Sequence, residues 1–153
     1  DRVRGYQELG KREAKLAVGG GRATGAGLDA GLFVEPTIFY DVDHGARIAR
    51  EEIFGPVACV MPFDDEADAL RLANDTPYGL AAYVFTNDLS RAWRMAEALD
   101  YGIVGVNDGV PSTPQAPFGG VKQSGIGREG GPWGIEEYVA IKYVSVGIKT
   151  TAS

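Results

Sequence analysis

The sequence predicts an α/β fold with a largely parallel sheet and flanking helices. Short β-branched and aromatic runs at Val57–Phe63, Leu80–Thr86 and Ile103–Val106 read as buried strands. Two stretches with apolar residues at helical spacing, Asp64–Asn74 and Asn87–Asp100, separate them. Strand, helix, strand at this spacing implies right-handed βαβ crossovers, which join parallel strands. The 153 residues fit one domain of ordinary size, able to bury roughly 70% of its unfolded surface.

Each element follows from local chemistry. Residues 2–17 place Val3, Tyr6, Leu9, Ala14 and Leu16 on one helical face, with an interruption near Gly10. Gly19–Gly27 is a polar, glycine-rich loop; it lacks the Lys-Ser/Thr that a phosphate-cradling loop needs, so it reads as turn chemistry. Leu32–Val42 carries Phe33, Val34, Ile38, Phe39 and Tyr40 around Pro36, which fits two short strands or one edge strand broken at the proline. Ala46–Glu52 reads as a short helix. Acidic residues crowd the start of Asp64–Asn74, where they suit the helix dipole. Thr76–Gly79 is a turn. Asn87–Ser90 caps the next helix, which buries Ala92, Trp93, Met95, Ala96 and Leu99. Pro132–Tyr138 makes one short helix. Val139–Ile148 alternates with two partly apolar faces, so a strand there wants a partner sheet, such as one in another subunit.

Composition excludes several function classes. Fifteen basic residues against 21 acidic give a net charge of −6 with no basic stripe, which argues against a nucleic-acid partner. No apolar run approaches membrane-spanning length and no signal-peptide pattern is present. A single cysteine excludes an internal disulfide framework and fits a reducing compartment, the cytoplasm. The chain opens at Asp1 without methionine, which fits a fragment, a processed product or the ordered part of something longer.

Chemistry-bearing residues are few. Cys59 sits in the apolar run Val57–Val60, which supplies nothing to ionise a thiol. His44, the only histidine, lies in a polar turn without companions for a metal or a nucleophile, and reads as a surface residue. Gly125-Ile-Gly127-Arg-Glu-Gly130 satisfies G-x-G-x-x-G, but Lys122-Gln-Ser precedes it and Pro132 follows, so no strand and long helix flank it. It reads as a loop. Asn107 opens a loop holding Pro111, Pro114 and Pro117, which is stiff because proline fixes φ. Such a loop at the end of a buried strand suits ligand contacts.

Two motifs carry a family resemblance. Ala116-Pro-Phe-Gly-Gly-Val-Lys-Gln-Ser-Gly-Ile-Gly-Arg-Glu129 and Glu51-Glu-Ile-Phe-Gly-Pro-Val57 resemble segments of the aldehyde dehydrogenase superfamily, nearest to its succinate-semialdehyde branch. The resemblance runs from about Val3 to Ile148. It implies the later half of a catalytic domain over 1–124. A tail over 125–153 would then carry an oligomerisation strand at about 139–148. It implies that Glu52 bonds the nicotinamide ribose hydroxyls of NAD or NADP and that Phe54 lies by the nicotinamide ring. Phe118 would wall the aldehyde site, and Ser112, with Thr113, would meet the far carboxylate of the substrate. Ser112 reads equally as an ordinary turn serine.

In the family, a cysteine thiolate attacks the aldehyde, hydride passes to NAD or NADP, and a glutamate-activated water releases the acid. The motifs for that cysteine, that glutamate and the dinucleotide glycines are not found here. The expectation is therefore the C-terminal portion of an NAD(P)-dependent semialdehyde dehydrogenase. It has no catalytic nucleophile or metal site of its own, and it is inactive without its upstream part. The 2′-position that separates NAD from NADP would be met outside this chain. A non-catalytic assembly module, or a dehydrogenase of another ω-carboxylate semialdehyde, are the alternatives.

Overall fold

A computed structural model describes residues 1–25 and 27–148. Position 26, inside the glycine-rich loop, and positions 149–153, the end of the tail, lie outside the described residues. The chain forms two compact units, Asp1–Thr76 and Pro77 onward.

The first unit opens with α1 (Arg2–Glu13), which runs unbroken through Gly10. The expected interruption there is absent for a packing reason. Gly10 is buried, and a Cβ on it would stand 2.4 Å from the Phe39 ring. The glycine is a seat for that ring rather than a helix breaker. The helix also stops earlier than its apolar spacing suggested. Lys15–Val18 forms β1, antiparallel to β2 (Thr37–Tyr40), with Leu16 opposite Phe39. A run of four such residues satisfies helix and strand periods alike, and tertiary pairing decides between them.

A β-α-β unit follows: β2, α2 (Arg47–Arg50) and β3 (Val57–Cys59), with β2 and β3 parallel. The core of this unit is Phe39, fully buried, with Val42 and Ile48; Tyr6, Leu9, Val57, Cys59 and Met61 pack around it. Gln7 and Thr37 are the buried polar pair. Gln7 Nε2 donates to Thr37 Oγ1 at 2.9 Å and to Glu35 O at 3.2 Å, and Gly20 N donates to Thr37 Oγ1 at 2.9 Å, which ties the glycine loop to β2. Then comes α3 (Glu66–Asn74), whose N-cap Asp65 accepts from Asp68 N at 2.9 Å. This is the acidic start expected from sequence.

In the second unit, Thr76–Gly79 is not simply a turn. Tyr78–Gly79 is β4, paired antiparallel with β7 (Val121–Lys122). A two-residue ladder between positions over 40 apart leaves no periodic signal. A second β-α-β unit joins β5 (Ala81–Val84), α4 (Leu89–Ala98) and β6 (Ile103–Val106), with β5 and β6 parallel along their whole length. Ala92 and Leu99 are buried as expected. Trp93 is not: it is 66% exposed and its ring N–H donates to Glu97 Oε1 at 3.0 Å. Pro132–Tyr138 is a 3-10 helix.

Among the described residues the strands form three small sheets, ordered β1-β2-β3, β4-β7 and β5-β6, rather than one largely parallel sheet. Periodicity identifies strands but not which edges meet, and β1 takes the free edge of β2. Among the described residues, 139–148 make no ladder and are exposed on both faces. No helix among the described residues is long and apolar enough to cross a membrane.

Candidate functional site

In the first unit, the chain leaves α2 at Arg50 and reaches β3 through an irregular turn, Glu51–Pro56. Two adjacent glutamates behave differently there. The Glu51 carboxylate is taken up by structure. It accepts from Arg47 Nε at 2.9 Å and Arg47 Nη2 at 3.0 Å, and from the Tyr6 hydroxyl at 2.8 Å. The Arg47 bond first, then the Tyr6 bond, hold its pKa below the usual carboxylate range. Glu52 is exposed, and its carboxylate makes no hydrogen bond among the described residues, while its backbone carbonyl accepts from Arg2 Nη2.

Ile53 anchors the turn by burial. Phe54 then adopts a left-handed backbone, φ 55°, with its ring 84% exposed. Such a conformation costs a non-glycine residue about 1 kcal/mol or more. No burial of this side chain offsets that. The ring borders a cavity of about 310 Å³ lined also by Arg2, Arg22, Phe33 and Val34. A carboxylate unpaired among the described residues, two positions from a presented ring, suits a ligand with paired hydroxyls and a flat ring.

In the second unit, β6 ends at Val106 and Asn107 turns the chain at φ 53°. Asn107 closes a side-chain ring onto β5's end: Thr86 N donates to Asn107 Oδ1, and Asn107 Nδ2 donates to Thr86 O, both at 2.9 Å. The proline loop that follows carries Ser112 and Thr113, both exposed; the Thr113 hydroxyl donates to Gln115 Oε1. Phe118 ends the loop, 38% exposed. It exchanges two backbone bonds of 2.7 Å with Glu129. Gly131 N donates to Pro114 O at 2.9 Å, and Arg128 Nη1 donates to Gly120 O at 2.8 Å. The G-x-G-x-x-G segment is therefore a brace that folds back on this loop. Together they line a cavity of about 650 Å³, with Phe118, Arg128, Glu137 and Tyr138 on its walls.

Burial first, and Glu13 second, push the Cys59 thiol up, and Sγ donates to Ile48 O at 3.3 Å. It stays a thiol, as the apolar strand implied. His44 is more engaged than a surface reading allowed. Its Nε2 lies 2.9 Å from Asp75 Oδ2 and 2.9 Å from Arg50 Nη1, and Arg50 pairs with the same carboxylate at 3.0 Å. The cluster joins a polar turn to the ends of α2 and α3, a contact invisible to spacing. The His44 bond first, then Arg50, hold Asp75 below its ordinary pKa. Among the described residues no group of His, Cys, Asp and Glu could hold a metal. Sequence reasoning missed Arg2, Tyr6, Asn107 and Glu129 as supports, since their partners lie 11 to 51 positions away.

The comparisons with known proteins agree with these motifs. A family model described as aldehyde dehydrogenase family matches residues 1–144. The chain is 53% identical over 129 residues to the NADP(+) succinate-semialdehyde dehydrogenase of Escherichia coli, covering 84% of this chain and 26% of that protein. It is 50% identical over 125 residues to the glutarate-semialdehyde dehydrogenase of Pseudomonas putida, covering 82% of this chain and 26% of that protein. The betaine aldehyde dehydrogenase of Staphylococcus aureus, solved in complex with NAD+, superposes with a TM-score of 0.87 at 48% identity, over 90% of this chain and 27% of that one. The chain thus spans about a quarter of the length of the curated relatives it matches. A match over almost the whole chain, together with this level of identity, shows that it belongs to the aldehyde dehydrogenase family.

Proposed function

We propose that this chain supplies the nicotinamide-side turn and the substrate-side loop of an NAD(P)-dependent dehydrogenase that oxidises succinate semialdehyde to the acid. The carrying observation is the division between the two glutamates: Glu51 is consumed by Arg47 and Tyr6, while the Glu52 carboxylate has no partner among the described residues and stands beside the presented Phe54 ring. A purely architectural turn has no use for that pair. NAD or NADP, when bound, supplies the hydride acceptor. Glu52 accepts hydrogen bonds from the nicotinamide ribose hydroxyls, and Phe54 bears on the ring. Phe118 walls the aldehyde. Ser112, with Thr113, donates to the far carboxylate of the substrate.

The reading extends to assembly. Residues 1–124 form the later half of a catalytic domain whose sheet is completed by strands outside this chain. The tail 125–153 begins with the brace and continues into 139–148, whose apolar residues pair with another subunit in a homo-oligomer. The nucleophilic cysteine and the general base lie elsewhere in the enzyme, so the chain alone is inactive. Its single cysteine suits the reducing cytoplasm. The second reading, a glutarate-semialdehyde dehydrogenase, is supported by the Pseudomonas putida relative.

Turnover of the full-length enzyme with succinate semialdehyde, glutarate semialdehyde and a neutral aldehyde, each with NAD and with NADP, tests the proposal. The expected order places succinate semialdehyde first and the neutral aldehyde last. Preference for the neutral aldehyde overturns the substrate reading. Turnover by these 153 residues alone overturns the placement of the nucleophile elsewhere.

A further inference from the structure

The turn that carries Glu52 and Phe54 has no ladder of its own, and α1 grips it from one side. The Arg2 guanidinium donates to two successive carbonyls, Glu52 O through Nη2 and Ile53 O through Nε, the latter at 3.3 Å. One turn further along α1, the Tyr6 hydroxyl donates to Glu51 Oε2 at 2.8 Å. Arg2 stands over the Tyr6 ring, 5.5 Å from its centroid. Between them Val3 packs on Gly55 so closely that a Cβ there would meet Val3 Cγ2 at 2.5 Å.

These contacts fix the peptide planes on both sides of Ile53. The Glu52–Ile53 plane sets the direction of the Glu52 side chain. The Ile53–Phe54 plane sets the φ of Phe54, the residue held at 55°. A guanidinium suits this task because its donors form a rigid fork that spans two acceptors; an ammonium is a single point of charge.

We infer that Arg2 and Tyr6 are positioning residues for the nicotinamide half of NAD(P): they hold the Glu51–Gly55 turn so that Glu52 and Phe54 meet the cofactor. This rests on the proposed role of Glu52 and Phe54. Arg2 and Tyr6 act through the turn, by the bonds they donate to Glu51, Glu52 and Ile53. The clamp acts on the Glu51–Gly55 turn, so its effect is expected on the nicotinamide half that this turn meets.

The test uses the full-length enzyme with Arg2→Met, Arg2→Lys, Tyr6→Phe and Glu52→Gln. Affinities for NAD(P) and for AMP, which lacks the nicotinamide half, are measured by titration calorimetry, together with the thermal midpoint. Arg2→Met is expected to weaken NAD(P) about tenfold, the size of one charge-assisted hydrogen bond, and to leave AMP unchanged. Arg2→Lys is expected to recover part of the loss. Tyr6→Phe removes one hydroxyl, keeps the fold, and is expected to weaken NAD(P) by a few-fold, again sparing AMP. Equal losses for AMP and NAD(P), or unchanged NAD(P) affinity in both Arg2→Met and Tyr6→Phe, overturn the inference. If Glu52→Gln weakens NAD(P) while the α1 variants do not, the clamp alone fails. If Glu52→Gln changes neither affinity nor turnover, the role proposed for Glu52 fails with it.

Discussion

The Glu51–Gly55 turn and the Asn107–Phe118 loop reach a defined shape by opposite means. The turn contains no proline before Pro56 and makes no ladder; its shape comes from Arg2, Val3, Tyr6 and Arg47. The loop holds three prolines, so its own backbone is restricted, and it is pinned at its ends, by Asn107 to Thr86 and by Phe118 to Glu129, and once between them, by Gly131 N to Pro114 O. The first is rigid by long-range contact and the second by local covalent restriction. A distant substitution can therefore disarm the turn, whereas the loop yields mainly to changes at its anchors.

The largest expected effect breaks an anchor of the loop. A Cβ at Gly102 would stand 1.9 Å from Gly119 O, next to Phe118. Backbone, not a flexible side chain, must move. Gly102→Ala is expected to destabilise the full-length enzyme by about 3 kcal/mol and to raise KM for the semialdehyde, read by denaturant unfolding and steady-state kinetics. An unchanged unfolding midpoint would mean that the loop is not braced there.

Phe54→Gly separates stability from function in the turn. Glycine accepts the left-handed backbone and an exposed ring is lost, so stability is expected to hold or rise by about 1 kcal/mol. NAD(P) affinity is expected to fall in the same variant. A fall in both would mean that the ring packs rather than binds.

Ser112→Ala probes the loop at its exposed tip. The expected result is a drop in kcat/KM of about fivefold for succinate semialdehyde beyond that for a neutral aldehyde of similar length, as for one lost hydrogen bond. Equal losses return Ser112 to an ordinary turn residue.

The smallest effect is a pH dependence of the turn. Glu51 has its pKa lowered in the fold by Arg47 and then Tyr6. Its contribution is thus present above the ordinary carboxylate pKa and is lost as pH falls through the lowered one. Acid titration of the thermal midpoint is expected to show a decline in that window that Glu51→Gln flattens. An identical acid limb in both proteins would remove Glu51 from the turn's stability.

Much of this is legible in the sequence. The parallel pair β5–β6 follows from two apolar runs separated by a helix-period segment, and the caps Asp65 and Asp88 from the residues at the helix starts, whereas β3 pairs with β2 and not with β5 as the run of strands implied. The stiffness of the proline loop is local and was legible for the same reason. What failed was decided at a distance. Lys15–Val18 is a strand only because β2 lies beside it, and Gly10 is helical because Phe39 needs the space. Trp93 fits an apolar face by spacing yet finds no core to enter. Glu52 was distinguished from Glu51 by family resemblance, whereas the physical distinction, that Tyr6 and Arg47 occupy only Glu51, depends on residues four and 45 positions away.

The most direct measurement is a structure of the full-length enzyme with NAD(P) bound. The expected result places the Glu52 carboxylate about 2.7 Å from the nicotinamide ribose hydroxyls, the Phe54 ring against the nicotinamide, and the Glu51 carboxylate still on Arg47 and Tyr6. A nicotinamide ribose bonded by other groups, with Glu52 left in solvent, would contradict the role assigned to this turn.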